Sequence, residues 1–260
     1  MNTIEFTKTT ATGNDFVVVN NTLGNYDSLC ASLPDIARKI CDRKYGAGAD
    51  GMLFLEISSK ADIKMRIFNS DGSEAEMCGN GARCCAKYYD YNLASVSGQI
   101  IKIETKAGII ESFVNGNMVR LKMSEPHSMR LSPKINFINT GVPHAVIFVN
   151  DLENIDVDNL GREIRNSKEF APAGANVNFV KVIDKDTIAV RTYERGVEAE
   201  TLACGTGSVA SAIISGAHNV ITRGKERLKV YFEKKDNKIS NVRLEGTAII
   251  VYKGGFNYGT

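Results

Sequence analysis

Short apolar runs, each bounded by glycine or polar turn residues, recur along the chain at spacings too short for helices. DFVVVN at 15–20, MLFLEI at 52–57 and KMRIF at 64–68 read as strands, rich in β-branched and aromatic residues. HAVIFV at 144–149, VNFVKV at 177–182 and IAVRTY at 188–193 read the same way. Further strands are expected at 100–104, 109–114, 118–123, 228–233, 239–244 and 247–252. Helical spacing is confined to a few places. PDIARKICDRKY at 34–45 predicts one helix, with Pro34 acceptable in its first turn, and NLGREIRNS at 159–167 predicts another. Two more are expected after the cysteines at 78 and 204: GARCCAKYYDYN is broken by polar residues, whereas GTGSVASAIISGAHN is small and apolar almost throughout. A run of the second kind suits the inside of a curved sheet better than an exposed face.

The pattern is written twice. TGNDFVVV at 12–19 matches TGVPHAVIFV at 140–149, GADGMLFLE at 48–56 matches GANVNFVKV at 174–182, and EAEMCGNG at 74–81 matches EAETLACGTG at 198–207. Gly13 and Gly141 are 128 residues apart, while Gly48 and Gly174, and likewise Cys78 and Cys204, are 126 apart. Landmarks in one order at a nearly constant offset mark a duplicated unit of domain size. The expected fold is α+β: two pseudo-symmetric domains from an internal duplication, each a curved mixed β-sheet or barrel around a central helix. The break is placed in SEPHSMRLSP, 124–133, giving domains at 1–123 and 124–247, with a final strand at 248–260 returning to the first.

Composition narrows the function classes. Thirty-two basic residues against thirty acidic give a formal charge of +2, and the basic residues are dispersed, so no footprint for nucleic acid emerges. The N-terminus MNTIEFTKTTATGNDF lacks the features of a leader, and no apolar run approaches membrane-spanning length, so a cytoplasmic protein without membrane contact is expected. Six cysteines without a CxxC favour free thiols. The three histidines share no ligand spacing and DLENIDVD at 151–158 lacks the register of a calcium loop, so no metal is expected. GAGADG at 46–51 fits G-x-G-x-x-G, but it follows a helix and precedes a strand, the reverse of a dinucleotide-binding turn. It reads as a helix-to-strand turn.

The cysteine pair carries the chemistry. Cys78 and Cys204 each precede Gly-x-Gly at a helix start, where unpaired backbone N–H groups share space with the sulfur. Such a setting receives a carboxylate and lowers a thiol pKa. One thiolate and one thiol, serving opposite faces of an amino acid α-carbon, invert it by removing one proton and delivering another. Cys30, Cys41, Cys84 and Cys85 lack this setting in both halves and read as helix or core residues.

TGNDF at 12–16, GAGAD at 46–50, FNSDGSEAEMCGNGARC at 68–84, GVPHAV at 141–146, NVNFV at 176–180, YERG at 193–196 and ACGTG at 203–207 together resemble the motifs of the diaminopimelate epimerase family across nearly the whole chain. The resemblance implies a cytoplasmic homodimeric enzyme, independent of pyridoxal phosphate or any other cofactor, that interconverts LL- and meso-diaminopimelate in lysine and peptidoglycan precursor synthesis. It implies an active site in an interdomain cleft, with Cys78 and Cys204 as the catalytic pair. By the same resemblance Gly79, Asn80, Gly205 and Thr206 hold the reacting carboxylate. Asn14, Asn69, Asn176 or Asn178, Glu194 and Arg195 surround the substrate, and Arg195 meets its distal carboxylate. His144 lies beside the catalytic chamber. Two departures bear on the substrate: Val142 stands where the family commonly has asparagine, and the segment between Glu194 and Cys204 is one residue longer than the family pattern. A related amino acid racemase, such as one acting on histidine, is therefore the alternative, and a non-enzymatic binding module is a remote one.

Overall fold

A computed structural model describes residues 2–94, 98–236 and 238–258. In chain order the elements are β1 (Asn2–Ala11), β2 (Asn14–Asn20), a 3-10 turn at Asp27–Ser32, α1 (Leu33–Cys41), β3 (Gly51–Glu56), β4 (Ile63–Asn69), β5 (Glu74–Ala75), α2 (Gly79–Asn92), β6 (Ile100–Thr105), β7 (Gly108–Asn115) and β8 (Met118–Lys122). There follow β9 (His127–Arg130), β10 (Asn136–Asn139), β11 (Pro143–Phe148), α3 (Val157–Arg165), β12 (Asn176–Val182), β13 (Thr187–Glu194), β14 (Ala199–Thr201), α4 (Gly205–Ser215), β15 (Asn219–Ile221), β16 (Arg227–Lys235), β17 (Lys238–Thr247) and β18 (Ile249–Tyr258). The chain divides into two units: one runs through Leu121 and resumes at Gly246, and the other covers Lys122–Glu245.

Within the first unit β1 pairs antiparallel with β2, β2 parallel with β3, β3 antiparallel with β4, and β4 antiparallel with β5 but parallel with β6. Within the second, β10 to β15 repeat that sequence of pairings strand for strand. Helices α1 and α3 make the crossover between the parallel strands of each pair, and α2 and α4 follow β5 and β14. The molecule is thus two pseudo-symmetric α+β units from one duplication, each a mixed sheet with few helices.

Local chemistry explains the elements. Phe16–Val19 in β2 and Met52–Leu55 in β3 are buried without alternation, as parallel strands covered on both faces require. Helix α1 ends at Cys41 rather than at 45 as the apolar spacing predicts. Asp42 leaves helical geometry and its Oδ1 accepts the N–H groups of Lys44 and Tyr45 at 2.8 and 2.7 Å, a turn that competes with the helix. Gly46 then lies against the helix end, where a Cβ would sit 2.2 Å from the Lys39 carbonyl oxygen. Helix α3 begins two residues earlier than predicted because Asp156 caps it, accepting from Asn159 N–H at 3.1 Å.

In the second unit every residue from Gly207 to Ile213 of α4 is buried, with Val209, Ala210, Ala212 and Ile213 joining Ile138, Val146, Val180, Val190, Val220 and Leu244 in one core. The small residues of the sequence run let strands approach the helix from several sides, and Gly216 at φ 79° closes it. A second cluster, with Val177, Phe179 and Tyr193, lies under α3. In the first unit α1 covers Ile4, Val17, Val19, Met52 and Phe54, and α2 buries Ala82 through Ala86.

Among the described residues six strands escape the apolar pattern: β1, β9 and β10, and the very short β5, β14 and β15. β1 alternates, but buries Thr7, Lys8 and Thr9 along with Ile4 and Phe6, so polar residues mask it. β10 has only four residues. The stretch predicted as a turn-rich connection, 124–133, contains β9, which pairs with β10 through Phe137 opposite Arg130. β18 pairs antiparallel with β1 along most of its length, from Asn2 opposite Tyr258 to Thr10 opposite Ile249.

Candidate active site

Both cysteines of the repeated motif occupy the residue that precedes a helix. Cys78 (φ −142°, ψ 123°) and Cys204 (φ −112°, ψ 114°) are extended, and each carbonyl accepts the first helical bond, from Ala82 N–H at 2.8 Å and Ser208 N–H at 2.9 Å. That geometry leaves the N–H groups of Gly79, Asn80 and Gly81, and of Gly205, Thr206 and Gly207, without carbonyls of their own helix to bond. The Gly-x-Gly requirement is partly steric. A Cβ on Gly207 would sit 2.3 Å from Asn178 Oδ1, and one on Gly81 3.2 Å from a Leu53 methyl. Gly79 is different, since a Cβ there would meet no atom within 4 Å.

In the first unit, a continuous polar chain surrounds this helix start. Asn14 donates through Nδ2 to Asp50 Oδ2 at 2.9 Å, and Asn80 donates through Nδ2 to Asn14 Oδ1 at 2.6 Å. Asn80 Oδ1 accepts from Arg83 Nη2, which also donates to Thr12 Oγ1 at 2.7 Å. Arg83 belongs to α2 and is completely buried. Asp50 and Asp15 share Arg43, and Lys8 bonds Asp15 at 2.7 Å. Burial alone would raise the Asp15 pKa, but hydrogen bonds from Arg43 and Lys8 hold it well below the usual carboxylate range. Asn69, at the end of β4, is exposed and donates to Ser73 Oγ at 2.9 Å.

In the second unit, the equivalent surroundings of Cys204 are acidic and buried. Glu194 accepts from the Thr201 hydroxyl and shares a hydrogen bond with the Cys204 thiol. Burial raises the Glu194 pKa, and these two bonds only partly offset it. Burial also pushes the Cys204 thiol up, and the Glu194 charge adds to that, against smaller opposite effects of the Thr206 hydroxyl and the Gly207 N–H. The lowering expected from the helix start is therefore outweighed at Cys204, because a buried sulfur loses more by leaving water than one turn of amides restores. At neutral pH it is a thiol.

His144 and Asn178 form the floor beneath α4. Both are fully buried, and Asn178 uses Nδ2 for His144 Nδ1 at 3.1 Å and the Ala145 carbonyl at 2.9 Å, while its Oδ1 accepts from Thr192 Oγ1 at 3.0 Å. Asn176 accepts from Arg195 N–H at 2.8 Å and donates to the Pro143 carbonyl at 3.3 Å. The Arg195 guanidinium donates to the Ala173 carbonyl at 3.2 Å. Of the remaining cysteines, Cys41, Cys84 and Cys85 are buried, while Cys30 in the 3-10 turn is half-buried. Burial pushes Cys84 up to about 12, so it is inert as an acid or base near neutrality.

Sequence reading passed over Asp50, Arg83, Thr192 and Thr201. Asp50 stood inside GAGADG, where the glycines drew attention to a phosphate loop; the other three are ordinary strand and helix residues whose partners are distant in sequence.

Comparison with known proteins decides the family. The family model described as diaminopimelate epimerase matches residues 6–128 and again 136–258, one match per unit. The chain belongs to the diaminopimelate epimerase family. A diaminopimelate epimerase of Aquifex aeolicus is 41% identical, with 96% of this chain and 97% of the relative covered. One of Archaeoglobus fulgidus is 46% identical over 82% of this chain and 81% of its own. Among solved structures, a phenazine biosynthesis protein of the PhzF family from Bacillus anthracis aligns with a TM-score of 0.74 at 20% identity, covering 98% of this chain and 99% of its own. A hydroxyproline epimerase from Agrobacterium vitis aligns with a TM-score of 0.64 at 14% identity, covering 98% and 91%. At those identities the structural neighbours share the fold of this epimerase-family chain, whose two cysteine turns stand one in each matched half.

Proposed function

We propose that this protein is an isomerase that interconverts LL- and meso-2,6-diaminopimelate without a cofactor, using Cys78 and Cys204 as a base and acid pair on one α-carbon. The observation that carries the reading is the duplicated cysteine at the head of α2 and α4, in matching backbone geometry, within a chain of this family. In the direction that begins with Cys204 as donor, its thiol supplies a proton to one face while the Cys78 thiolate removes one from the other. In the reverse direction Glu194, already bonded to the Cys204 sulfur, takes the thiol proton and frees the thiolate. A carboxyl whose pKa burial has raised is a stronger base than an ordinary carboxylate, which suits it to that exchange.

Deprotonation of the α-carbon places negative charge on the substrate carboxylate. The N–H groups of Gly79 and Asn80, with those of Gly205 and Thr206, meet that charge where it forms, and one such donor is worth about 3 kcal/mol of barrier. Asn178, whose NH2 bonds both His144 and the Ala145 carbonyl, fixes His144, and Asn176 holds the Arg195 backbone. Arg195 receives the distal carboxylate, for which a planar guanidinium is suited; Asn14 and Asn69 complete the polar surroundings. Each of the two units acts as one catalytic domain. The active form is a cytoplasmic homodimer; among the described residues no helix is long and apolar enough to cross a membrane.

The test is kcat/KM for LL-diaminopimelate, L-histidine and L-lysine, on wild type, Arg195→Ala and each cysteine variant. Diaminopimelate leads in wild type, loses most of its lead in Arg195→Ala, and is not turned over by Cys78→Ala or Cys204→Ala. Preference for L-histidine overturns the substrate assignment, and full activity without either sulfur overturns the chemistry.

A further inference from the structure

The polar chain from Asp50 to Arg83 has ends of fixed chemical polarity. An ionised carboxylate only accepts hydrogen bonds and a guanidinium only donates them. Asp50 Oδ2 stands at one end and Arg83 Nη2 at the other, with the carboxamides of Asn14 and Asn80 between. A carboxamide is otherwise free to sit in either of two flipped orientations. Here neither flip is allowed, because turning Asn14 would set its oxygen against the Asp50 carboxylate, and turning Asn80 would set its NH2 against the guanidinium. Each amide therefore has one N–H that the chain does not use, available to an acceptor beside the α2 N-terminus.

We propose that Asp50 is a positioning residue: it orients the Asn14 and Asn80 carboxamides as N–H donors toward the substrate carboxylate received at the head of α2. This rests on the reading of that helix start as a carboxylate site. It also gives the GAGAD segment a role that a phosphate-binding loop or a plain turn does not. Three more bonds anchor Asp50 itself: its Oδ2 accepts from Asp15 N–H at 3.1 Å, its Oδ1 from Arg43 Nη2 at 2.7 Å, and its own N–H donates to Asp15 Oδ1 at 3.0 Å. The carboxylate is thus held in place from outside the site while its inward oxygen sets the polarity.

The test compares Asp50→Asn, Asp50→Glu and the surface control Asp35→Asn, by kcat and KM for LL-diaminopimelate and by exchange of side-chain amide protons in protein carrying 15N-asparagine. Asn is the closer replacement in size but can present an NH2 to Asn14, whereas Glu is larger yet keeps the acceptor. A polarity role predicts that Asp50→Asn loses ten- to a hundredfold in kcat/KM, that Asp50→Glu retains more activity than Asp50→Asn, and that Asp35→Asn matches wild type. A space-filling role predicts the opposite order for the first two, and that order overturns the proposal. Amide protons of Asn14 and Asn80 exchange slowly in wild type and Asp50→Glu and faster in Asp50→Asn; equal exchange in all three also overturns it. Wild type inactive on diaminopimelate overturns the functional reading instead, and the exchange experiment still decides the polarity of the chain.

Discussion

Asn178 donates from Nδ2 to His144 Nδ1 across 3.1 Å, and because the same NH2 also donates to the Ala145 carbonyl, the imidazole nitrogen must be the acceptor. His144 is thereby fixed as the neutral tautomer with its proton on Nε2, a buried atom with no hydrogen-bond partner among the described residues.

That pairing sets a pH dependence of stability. Burial first, and the charge of Arg195 second, push the His144 pKa down to about 3. The unfolded chain binds this proton below about 6.5, while the folded chain refuses it until about 3. Stability is thus complete above the unfolded value and is lost as pH falls through that window, by a few kcal/mol. Asp15 and Glu74, whose folded pKa values are lowered, lose stability over an overlapping acid range, so the comparison with a variant isolates the histidine. Denaturant unfolding at pH 7 and pH 4 is expected to show a smaller acid loss in His144→Gln than in wild type, and equal losses would remove the buried neutral imidazole from the account.

The Glu194 and Cys204 pair predicts a thiol titration. Removing the carboxylate charge in Glu194→Gln leaves burial in place but takes away the second cause of the raised thiol pKa. In a Cys78→Ala background, the alkylation rate of Cys204 by a small reagent is expected to rise at lower pH in Glu194→Gln than with glutamate present. With both cysteines intact, the same substitution is expected to lower kcat by ten- to a thousandfold, since the thiol loses its proton acceptor. An unshifted alkylation profile would show that the carboxylate does not act on the sulfur.

Two glycines of the repeated motif are predicted to fail in different ways. Gly207→Ala forces a Cβ to within 2.3 Å of Asn178 Oδ1 and is expected to cost about 1 to 3 kcal/mol of stability. Gly79→Ala meets nothing within 4 Å of its Cβ, so Tm holds. Its activity is nevertheless expected to fall at least tenfold, because the methyl group enters the space assigned to the carboxylate. Melting curves with initial rates check both, and an active, stable Gly79→Ala would remove the carboxylate from that position.

The duplication was legible because positive-φ positions that glycine fills most easily mark it. Gly13 and Gly141 at φ 85° and 104°, and Gly48 and Gly174 at φ 70° and 69°, keep the offset that the sequence shows. The strands around them were legible where both faces are covered and the apolar run is unbroken, as in Phe16–Val19. They were hidden where polar residues are buried, as at Thr7 to Thr9 in β1, or where the strand is as short as β10. Helix ends were misplaced where a side chain competes for the backbone, as Asp42 does. At the site, the cysteines stand out because they repeat, while Asp50 and Arg83 lie 36 residues from Asn14 and 71 from Thr12, partners that no local spacing reveals.

The central claim is two-base inversion by Cys78 and Cys204, and incubation of metal-free, pyridoxal-free protein with LL-diaminopimelate in deuterated water tests it most directly. The meso isomer is expected to carry one deuterium at the inverted carbon, because the donated proton comes from a sulfur equilibrated with solvent rather than from the substrate. Meso product formed without solvent deuterium would contradict the account.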